Sequence, residues 1–124
     1  MKLKIVLVLL IAIITGCSNA ANSNTKSSQD ELNQFYEDSD QMISAIEKAH
    51  SESRDLTSEE DEKFREYVTY YGSESKFKES AGANESLISS NIEIMRLNLV
   101  EEDLPSMYAD ALRDATKYLK DATK

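Results

Sequence analysis

The chain has 124 residues, of which 30% are charged, and its 14 basic and 23 acidic residues give a formal net charge of −9. An acidic chain of this length forms one domain at most and repels the phosphates of nucleic acids, so we expect no nucleic-acid partner. One cysteine and one histidine cannot supply a disulfide framework and argue against a serine or cysteine catalytic triad.

Residues 1–16 have the pattern of an export signal. Lys2 and Lys4 supply positive charge, and Ile5–Ile14 is an unbroken apolar stretch of ten residues. At about 1.5 Å per helical residue, this stretch covers roughly half of the ~30 Å hydrocarbon core of a bilayer. It is therefore too short for a permanent transmembrane helix.

Ile14, Thr15, Gly16 and Cys17 follow one another at the end of the apolar stretch. They resemble the lipobox of bacterial lipoproteins, in which an aliphatic residue, a small residue and Gly or Ala precede a cysteine. The resemblance covers only residues 1–17, and it implies cleavage between Gly16 and Cys17 and transfer of a diacylglyceryl group, with palmitate-type acyl chains, to the Cys17 thiol. Two acyl chains anchor a protein stably, so it also implies a lipid-anchored protein on the extracytoplasmic face of the cell membrane. The alternative is a secreted protein with a chance cysteine near its cleavage site.

The lipidated cysteine and a flexible linker occupy residues 17–29. The segment SNAANSNTKSSQ (18–29) is small and polar and cannot bury a core. Removal of residues 1–16 leaves 12 basic against 23 acidic residues, a formal charge of −11. This charge gives no attraction to anionic lipids, so the acyl chains rather than the protein surface would hold the chain to the membrane.

Residues 30–124 are predicted to form an all-α domain of about four amphipathic helices, because apolar residues recur at three- and four-residue steps. The first helix begins after Ser28, where Ser28 and Glu31 have the capping-box pattern, and continues to about Ser51. Ser39 interrupts its apolar stripe. The stripe consists of Leu32, Phe35, Tyr36, Met42, Ile43, Ile46 and Ala49.

A second capping box, Thr57 with Glu60, begins the second helix, and Gly72 is its predicted end. Its predicted ion pairs at four-residue spacing are Glu59 with Lys63 and Asp61 with Arg65. Its apolar stripe consists of Phe64, Tyr67, Val68 and Tyr71.

Residues 73–83 are predicted to be a polar connection with Phe77 as the single large apolar residue. Asn84 is the expected N-cap of the third helix, which should end near 101–104 because Pro105 restricts the residue before it and lacks an N–H group. The apolar residues of this helix are Leu87, Ile88, Ile92, Met95, Leu99 and Val100.

The last helix is predicted to run from about Pro105 to the C-terminus. Its slim apolar face consists of Tyr108, Ala111, Leu112, Ala115, Leu119 and Ala122. Helices joined by short connections favour an up-and-down bundle.

The candidate chemistry of the chain is sparse. Glu47 and His50 form an E-x-x-H pattern, which is half of a helical di-iron site, but no second histidine exists to complete it. Glu37, Asp38 and Asp40 are interpreted as solvated helix charge because the glycine and distant glutamate of a calcium loop are missing. No phosphate-binding glycine loop or G-x-S-x-G motif occurs. We therefore predict no metal, no cofactor, no catalytic residue and no enzymatic activity.

Tyr67, Tyr70 and Tyr71 form the densest aromatic cluster and are the predicted partner interface. Tyr70 lies off the apolar stripe, where an exposed tyrosine would be a good interface anchor. The alternative is that all three side chains close the helical core. The sequence favours a non-enzymatic protein-binding module, of the kind that gives immunity or exclusion, with an unidentified membrane or extracellular protein as partner. The alternative function is a structural or envelope-stress lipoprotein that self-associates through its amphipathic helices.

Overall fold

The computed structural model describes residues 28–100 and 105–124 of the chain. This part contains five helices and no strand, which confirms the all-α class, with one helix more than predicted. The helices are α1 (Ser28–Ser51), α2 (Ser58–Tyr71), α3 (Lys76–Ser80), α4 (Ala83–Leu97) and α5 (Pro105–Ala122). Within these described ranges, no helix has both the length and the apolar character needed to cross a bilayer.

The predicted beginning and end of α2 are both confirmed. The Thr57 hydroxyl accepts a hydrogen bond from the Glu60 N–H at 3.3 Å, and the Glu60 carboxylate accepts one from the Thr57 N–H at 2.8 Å. At the other end, the Gly72 N–H donates to the Val68 carbonyl oxygen at 2.8 Å. A Cβ atom at position 72 would collide with that oxygen and lie 2.9 Å from Val68 Cγ1, so the close approach requires glycine.

The segment 73–83 was predicted to be a polar connection, and this prediction is wrong because it contains α3. Ser75 begins the helix, and its hydroxyl accepts a hydrogen bond from the Lys78 N–H at 3.3 Å. Phe77 is buried in the core. One turn of helix therefore forms here because it places a large apolar ring inside the domain.

The predicted bounds of the third helix, now α4, are also wrong. Gly82 rather than Asn84 is its N-cap, and Asn84 lies within its first turn. The helix ends at Leu97, before the predicted region 101–104. Asn98 is its C-cap, and both its backbone N–H and its side-chain amide donate to the Ile94 carbonyl oxygen, at 3.1 and 2.8 Å.

The apolar stripe predicted for this helix is therefore only partly inside. Leu99 is buried although it follows the last helical turn, whereas Leu87 and Val100 are exposed. Ile88, Ile92 and Met95 are fully buried. The periodic pattern thus continues past the point at which the backbone leaves the helix.

The core lies where α1 packs against the other long helices. α4 and α5 pack most extensively on each other, and α1 contacts both of them as well as α2. The side chains without solvent exposure include Phe35, Ile46, Ile88, Ile92, Met95 and Ala115. Burial of such side chains contributes about 1.5–3 kcal/mol each for the larger ones, which makes this contact zone the main source of stability.

Phe35 on α1 is the centre of an aromatic cluster that joins three helices. Its ring centroid lies 5.1 Å from that of Tyr71 and 6.4 Å from that of Tyr67 on α2. It also lies 4.9 Å from that of Phe77 on α3 and 5.5 Å from that of Tyr36. These offset and edge contacts fix the distance between α1 and α2.

An ion-pair cluster, formed by Arg54, Glu60, Asp61, Arg65 and Arg96, surrounds the beginning of α2. The Arg54 guanidinium donates to both carboxylate oxygens of Glu60, at 2.7 and 3.1 Å. Asp61 pairs with Arg96 at 3.2 Å and, as predicted, with Arg65 at 2.8 Å. Hydrogen bonds from Arg54 and from the Thr57 N–H lower the pKa of Glu60 from 4.5 to about 2.

The second predicted ion pair of α2 is confirmed as well. The Lys63 ammonium lies 2.9 Å from the Glu59 carboxylate, and both side chains are well exposed. An exposed pair of this kind contributes only a few tenths of a kcal/mol, about 0.3–0.5. The pair matters mainly because it holds the Lys63 ammonium next to Glu59.

Candidate functional site

A cleft of about 400 Å³ lies between α1 and α2. α1 contributes one wall and α2 the other, and the aromatic cluster around Phe35 lies beneath them. The lining residues are Gln34, Asp38, Gln41, Met42, Lys63, Glu66, Tyr67, Tyr70 and Tyr71. We call this feature the α1–α2 cleft.

The α1 wall is polar at its rim and apolar at its base. Gln34, Asp38 and Gln41 recur at helical spacing and therefore lie on one side of α1. The Gln34 amide donates a hydrogen bond to Asp38 Oδ1 at 2.9 Å, which orients the carboxylate. Met42 is buried below them.

The α2 wall carries the three tyrosines of the predicted interface, and the structure separates them. Tyr67 and Tyr71 are 4% and 8% exposed and belong to the core, whereas Tyr70 is 72% exposed. The Tyr70 ring lies against that of Tyr71, with centroids 6.0 Å apart and planes at 46°. Tyr67 and Tyr71 thus fit the alternative in which they close the core, and Tyr70 alone has the exposure of an interface anchor.

Both buried tyrosines are tied to α1 by their hydroxyl groups. Tyr71 donates to Asp38 Oδ2 at 2.8 Å, and Tyr67 shares a hydrogen bond of 2.8 Å with the buried Ser39 hydroxyl. Burial raises the pKa of both phenols, and the Asp38 carboxylate raises that of Tyr71 further. At neutral pH the two hydroxyls are therefore protonated, and Tyr71 acts as the donor to Asp38.

The carboxylates of the cleft differ from those of the ion-pair cluster in their partners. The hydrogen-bond donors to Asp38 are the neutral Gln34 amide and the Tyr71 hydroxyl. Within the described part of the chain, no hydrogen bond or ion pair involves the exposed Glu66 carboxylate. Lys63 is the one cation among the described lining residues, and its ammonium is held by Glu59 outside the cleft.

The lining groups of the cleft are able to recognise a ligand. Its described lining contains no histidine, cysteine or serine that could act as a base or nucleophile. It offers carboxylate and amide oxygens as hydrogen-bond acceptors and one exposed aromatic face. Groups of this kind bind a cationic or hydrogen-bond-donating side chain.

The E-x-x-H pattern lies on a different surface. Glu47 and His50 are exposed, and the His50 ring stacks on the Tyr108 ring of α5, with centroids 3.9 Å apart and planes at 7°. Among residues 28–100 and 105–124, no three His, Cys, Asp or Glu side chains are grouped so that they could hold a metal ion. His50 thus packs against an aromatic ring at the junction of α1 and α5.

Two further groups of sequence predictions have different outcomes. Gly16 and Cys17, the predicted cleavage and lipid-attachment residues, lie outside the described residues. The interpretation of Asp38 as solvated helix charge is wrong, because its carboxylate accepts a hydrogen bond from the buried Tyr71. Its spacing of four residues from Gln34 places the two side chains on one side of α1, but nothing in the sequence indicates the contact with Tyr71.

No protein-family model matches the chain, and no curated protein or solved structure matches it significantly. Function is therefore inferred from the N-terminal sequence and from the α1–α2 cleft.

Proposed function

We propose that this chain is a lipid-anchored, extracytoplasmic protein that binds another protein through the α1–α2 cleft and catalyses no reaction. The lipobox resemblance of residues 14–17 supports the anchor at Cys17. The extensive packing of α4 on α5, with α1 against both, supports an up-and-down bundle for the helical domain. The linker 18–29 would reach about 20 Å as a coil, enough to hold this bundle clear of the lipid head groups.

Tyr70 is the observation that carries the binding role. It is a large aromatic side chain, 72% exposed, at the edge of a cleft whose base is fixed by the buried Tyr67 and Tyr71. An exposed tyrosine offers a large contact area at a low entropic cost and is enriched among the residues that dominate binding energy. A rigid base beneath it reduces the cost of ordering the site on binding.

A tethered protein of this kind acts by occupying a membrane or extracellular partner, as in immunity to a toxin or exclusion of an invading element. This assignment of process rests on size and location alone. The anchor matters because it restricts the cleft to partners near the same membrane.

Site-specific photo-crosslinking in intact producing cells tests the binding role. A photoreactive phenylalanine derivative replaces Tyr70, and a matched chain carries it at Glu62, an exposed position on α2 outside the cleft. We expect a specific heterologous product from position 70 and none from position 62. Equal products at both positions, or none at position 70, would contradict the proposal.

The anchor is tested separately. Mass spectrometry of the mature protein should show acylated Cys17 as its first residue, and Cys17→Ala should release the domain and abolish the product at position 70. An unmodified thiol or a retained leader would refute the anchor.

Self-association is the second candidate function, and exposed apolar side chains near the α4–α5 junction favour it. Leu97, Val100 and Met107 are 73%, 61% and 45% exposed. Exposed apolar groups that lie close together mark interaction surfaces. If copies assemble here, the photoreactive residue at position 97 gives a product of twice the chain mass in the same cells. Absence of that product argues against this candidate.

A further inference from the structure

We propose that the α1–α2 cleft receives an arginine side chain of the partner protein, an inference that rests on the binding role proposed above. It is carried by three observations: carboxylates that form no ion pair within residues 28–100 and 105–124, an exposed aromatic face beside them, and the absence of a spare arginine in the chain itself.

The Asp38 carboxylate is held in place, with part of its hydrogen-bonding capacity unused. A carboxylate can accept about four hydrogen bonds, and Asp38 uses two, from the neutral Gln34 and Tyr71 groups. Neither donor cancels its negative charge. Asp38 is therefore a preorganised acceptor that lacks a cation within the described residues.

Glu66 adds a second negative charge on the opposite wall. The cation next to it is Lys63, whose pKa is raised mainly by its contact with Glu59 and only to a lesser degree by Glu66. The Lys63 ammonium thus belongs to Glu59, at 2.9 Å. The two walls together present Asp38 and Glu66 to an incoming positive group.

Tyr70 favours a guanidinium over an ammonium. Its ring stands at the edge of the cleft with one neighbour, Tyr71, and the rest of it faces solvent. A planar, weakly hydrated guanidinium stacks on such a ring and donates hydrogen bonds to carboxylates in the same plane. Lysine, as a compact and strongly hydrated charge, matches this combination less well.

The arginine must come from another protein, because the chain has none to spare. Its four arginines are Arg54, Arg65, Arg96 and Arg113, and each is ion-paired within the chain. The net charge of −9 further disfavours a second copy of this chain as the occupant of an acidic cleft.

Titration of short peptides into the full chain in detergent micelles tests the inference. The probes are acetyl-Gly-Arg-Gly-amide, its citrulline analogue, which keeps the shape and removes the charge, and its lysine analogue. Carbon-13 labels on the tyrosine rings report binding, with Tyr118 on α5 as an internal reference outside the cleft. We expect saturable shifts of the Tyr70 and Tyr71 signals with the arginine peptide, and little effect of the citrulline peptide.

One tyrosine variant and a matched pair of glutamate variants locate the binding site. Tyr70→Ala should weaken arginine binding about two- to fivefold, the range for one exposed cation–π contact. Glu66→Gln should weaken it by about twofold, whereas Glu62→Gln, which changes the net charge equally outside the cleft, should leave it unchanged. Both positions are exposed, so neither variant should perturb the fold.

Three results would overturn the inference. These are equal binding of the citrulline peptide, equal or tighter binding of the lysine peptide, and equal effects of the two glutamate variants. The crosslinking experiment separates this failure from failure of the proposed function. A partner captured at position 70 without arginine binding leaves the function and removes only this chemistry, whereas the absence of a captured partner removes the proposed function and the partner arginine with it, even if the peptide binds.

Discussion

The acidic residues at the beginning of α2 and those around the α1–α2 cleft differ in the groups that they contact. Near its beginning, Glu60 and Asp61 are each paired with arginines in the ion-pair cluster. One to two turns later, Glu66 forms no ion pair among the described residues, although the Lys63 charge lies near it, and the facing Asp38 accepts hydrogen bonds from neutral groups only. Paired charges hold the loop before α2 in place, and unpaired charges leave the cleft able to attract a ligand.

The comparison shows that total charge alone says little about binding in this protein. The chain carries 23 acidic residues, and several of them are already neutralised by neighbours. The cleft is different because its carboxylates form no ion pair with another described residue and lie above a rigid aromatic base. The following variants are expected to affect both regions, then the ion-pair cluster alone, then the cleft alone.

The largest effect is expected from Phe35→Ala, which removes the ring at the centre of the aromatic cluster and destabilises the whole domain, including both regions. Phe35 has no exposed surface and contacts the rings of Tyr67, Tyr71 and Phe77. Loss of a buried phenylalanine lowers the free energy of unfolding by about 3–5 kcal/mol. Urea unfolding followed by circular dichroism measures it, with Phe35→Leu as a milder control. A loss below about 1 kcal/mol would show that the aromatic cluster is not the support described here.

An intermediate effect is expected from Glu60→Gln, which breaks only the ion-pair cluster. The variant loses the charged bond to Arg54 and weakens the capping box, so the free energy of unfolding at pH 7 should fall by about 1 kcal/mol. Peptide binding in the cleft should not change. Glu62→Gln, on the same helix without these contacts, is the matched control for stability.

The pH dependence of the same variant has a defined sign. The pKa of Glu60 is lowered from 4.5 to about 2, so its stabilising contribution is complete above about pH 4.5 and is lost as the pH falls from there toward 2. Urea midpoints across this interval should therefore fall less steeply in Glu60→Gln than in the parent chain. If the urea midpoints of the two proteins fell equally steeply with pH, other carboxylates would be responsible for the loss of stability in acid.

The smallest effect on stability is expected from Tyr70→Ala, which alters the cleft alone. Because the side chain is 72% exposed, the free energy of unfolding should change by less than about 0.5 kcal/mol. The crosslinked partner and the peptide shifts should nevertheless weaken. A large loss of stability would mean that Tyr70 supports the core rather than the interface.

The sequence was most informative where local chemistry decides the structure. The Thr57–Glu60 capping box and the stop at Gly72 are interactions among neighbours, and both are present as predicted. α3 was missed because a helix of five residues shows no periodicity and depends on burial of Phe77 by distant residues. The end of α4 was misplaced because Leu99 continues the apolar spacing after the helix has ended.

The cleft could be predicted only in part. The position of Tyr70 off the apolar stripe correctly indicated its exposure, since helical spacing alone determines this. The role of Asp38 depends on which face of α1 meets α2, and this pairing is a tertiary contact that spacing does not specify. Ser39, which interrupts the predicted apolar stripe of α1, is explained by a tertiary contact as well. Its buried hydroxyl forms a hydrogen bond with Tyr67 of α2.

Gly72 has a consequence for the shape of the α1–α2 cleft. Because its Cα lies so close to the Val68 carbonyl, even a methyl group there would force the final turn of α2 to move. That turn carries both Tyr70 and Tyr71, and the Tyr71 carbonyl is held by the Ser89 hydroxyl of α4 at 2.9 Å. The shape of this edge of the α1–α2 cleft is thus set by a hydrogen atom where every other amino acid has a carbon.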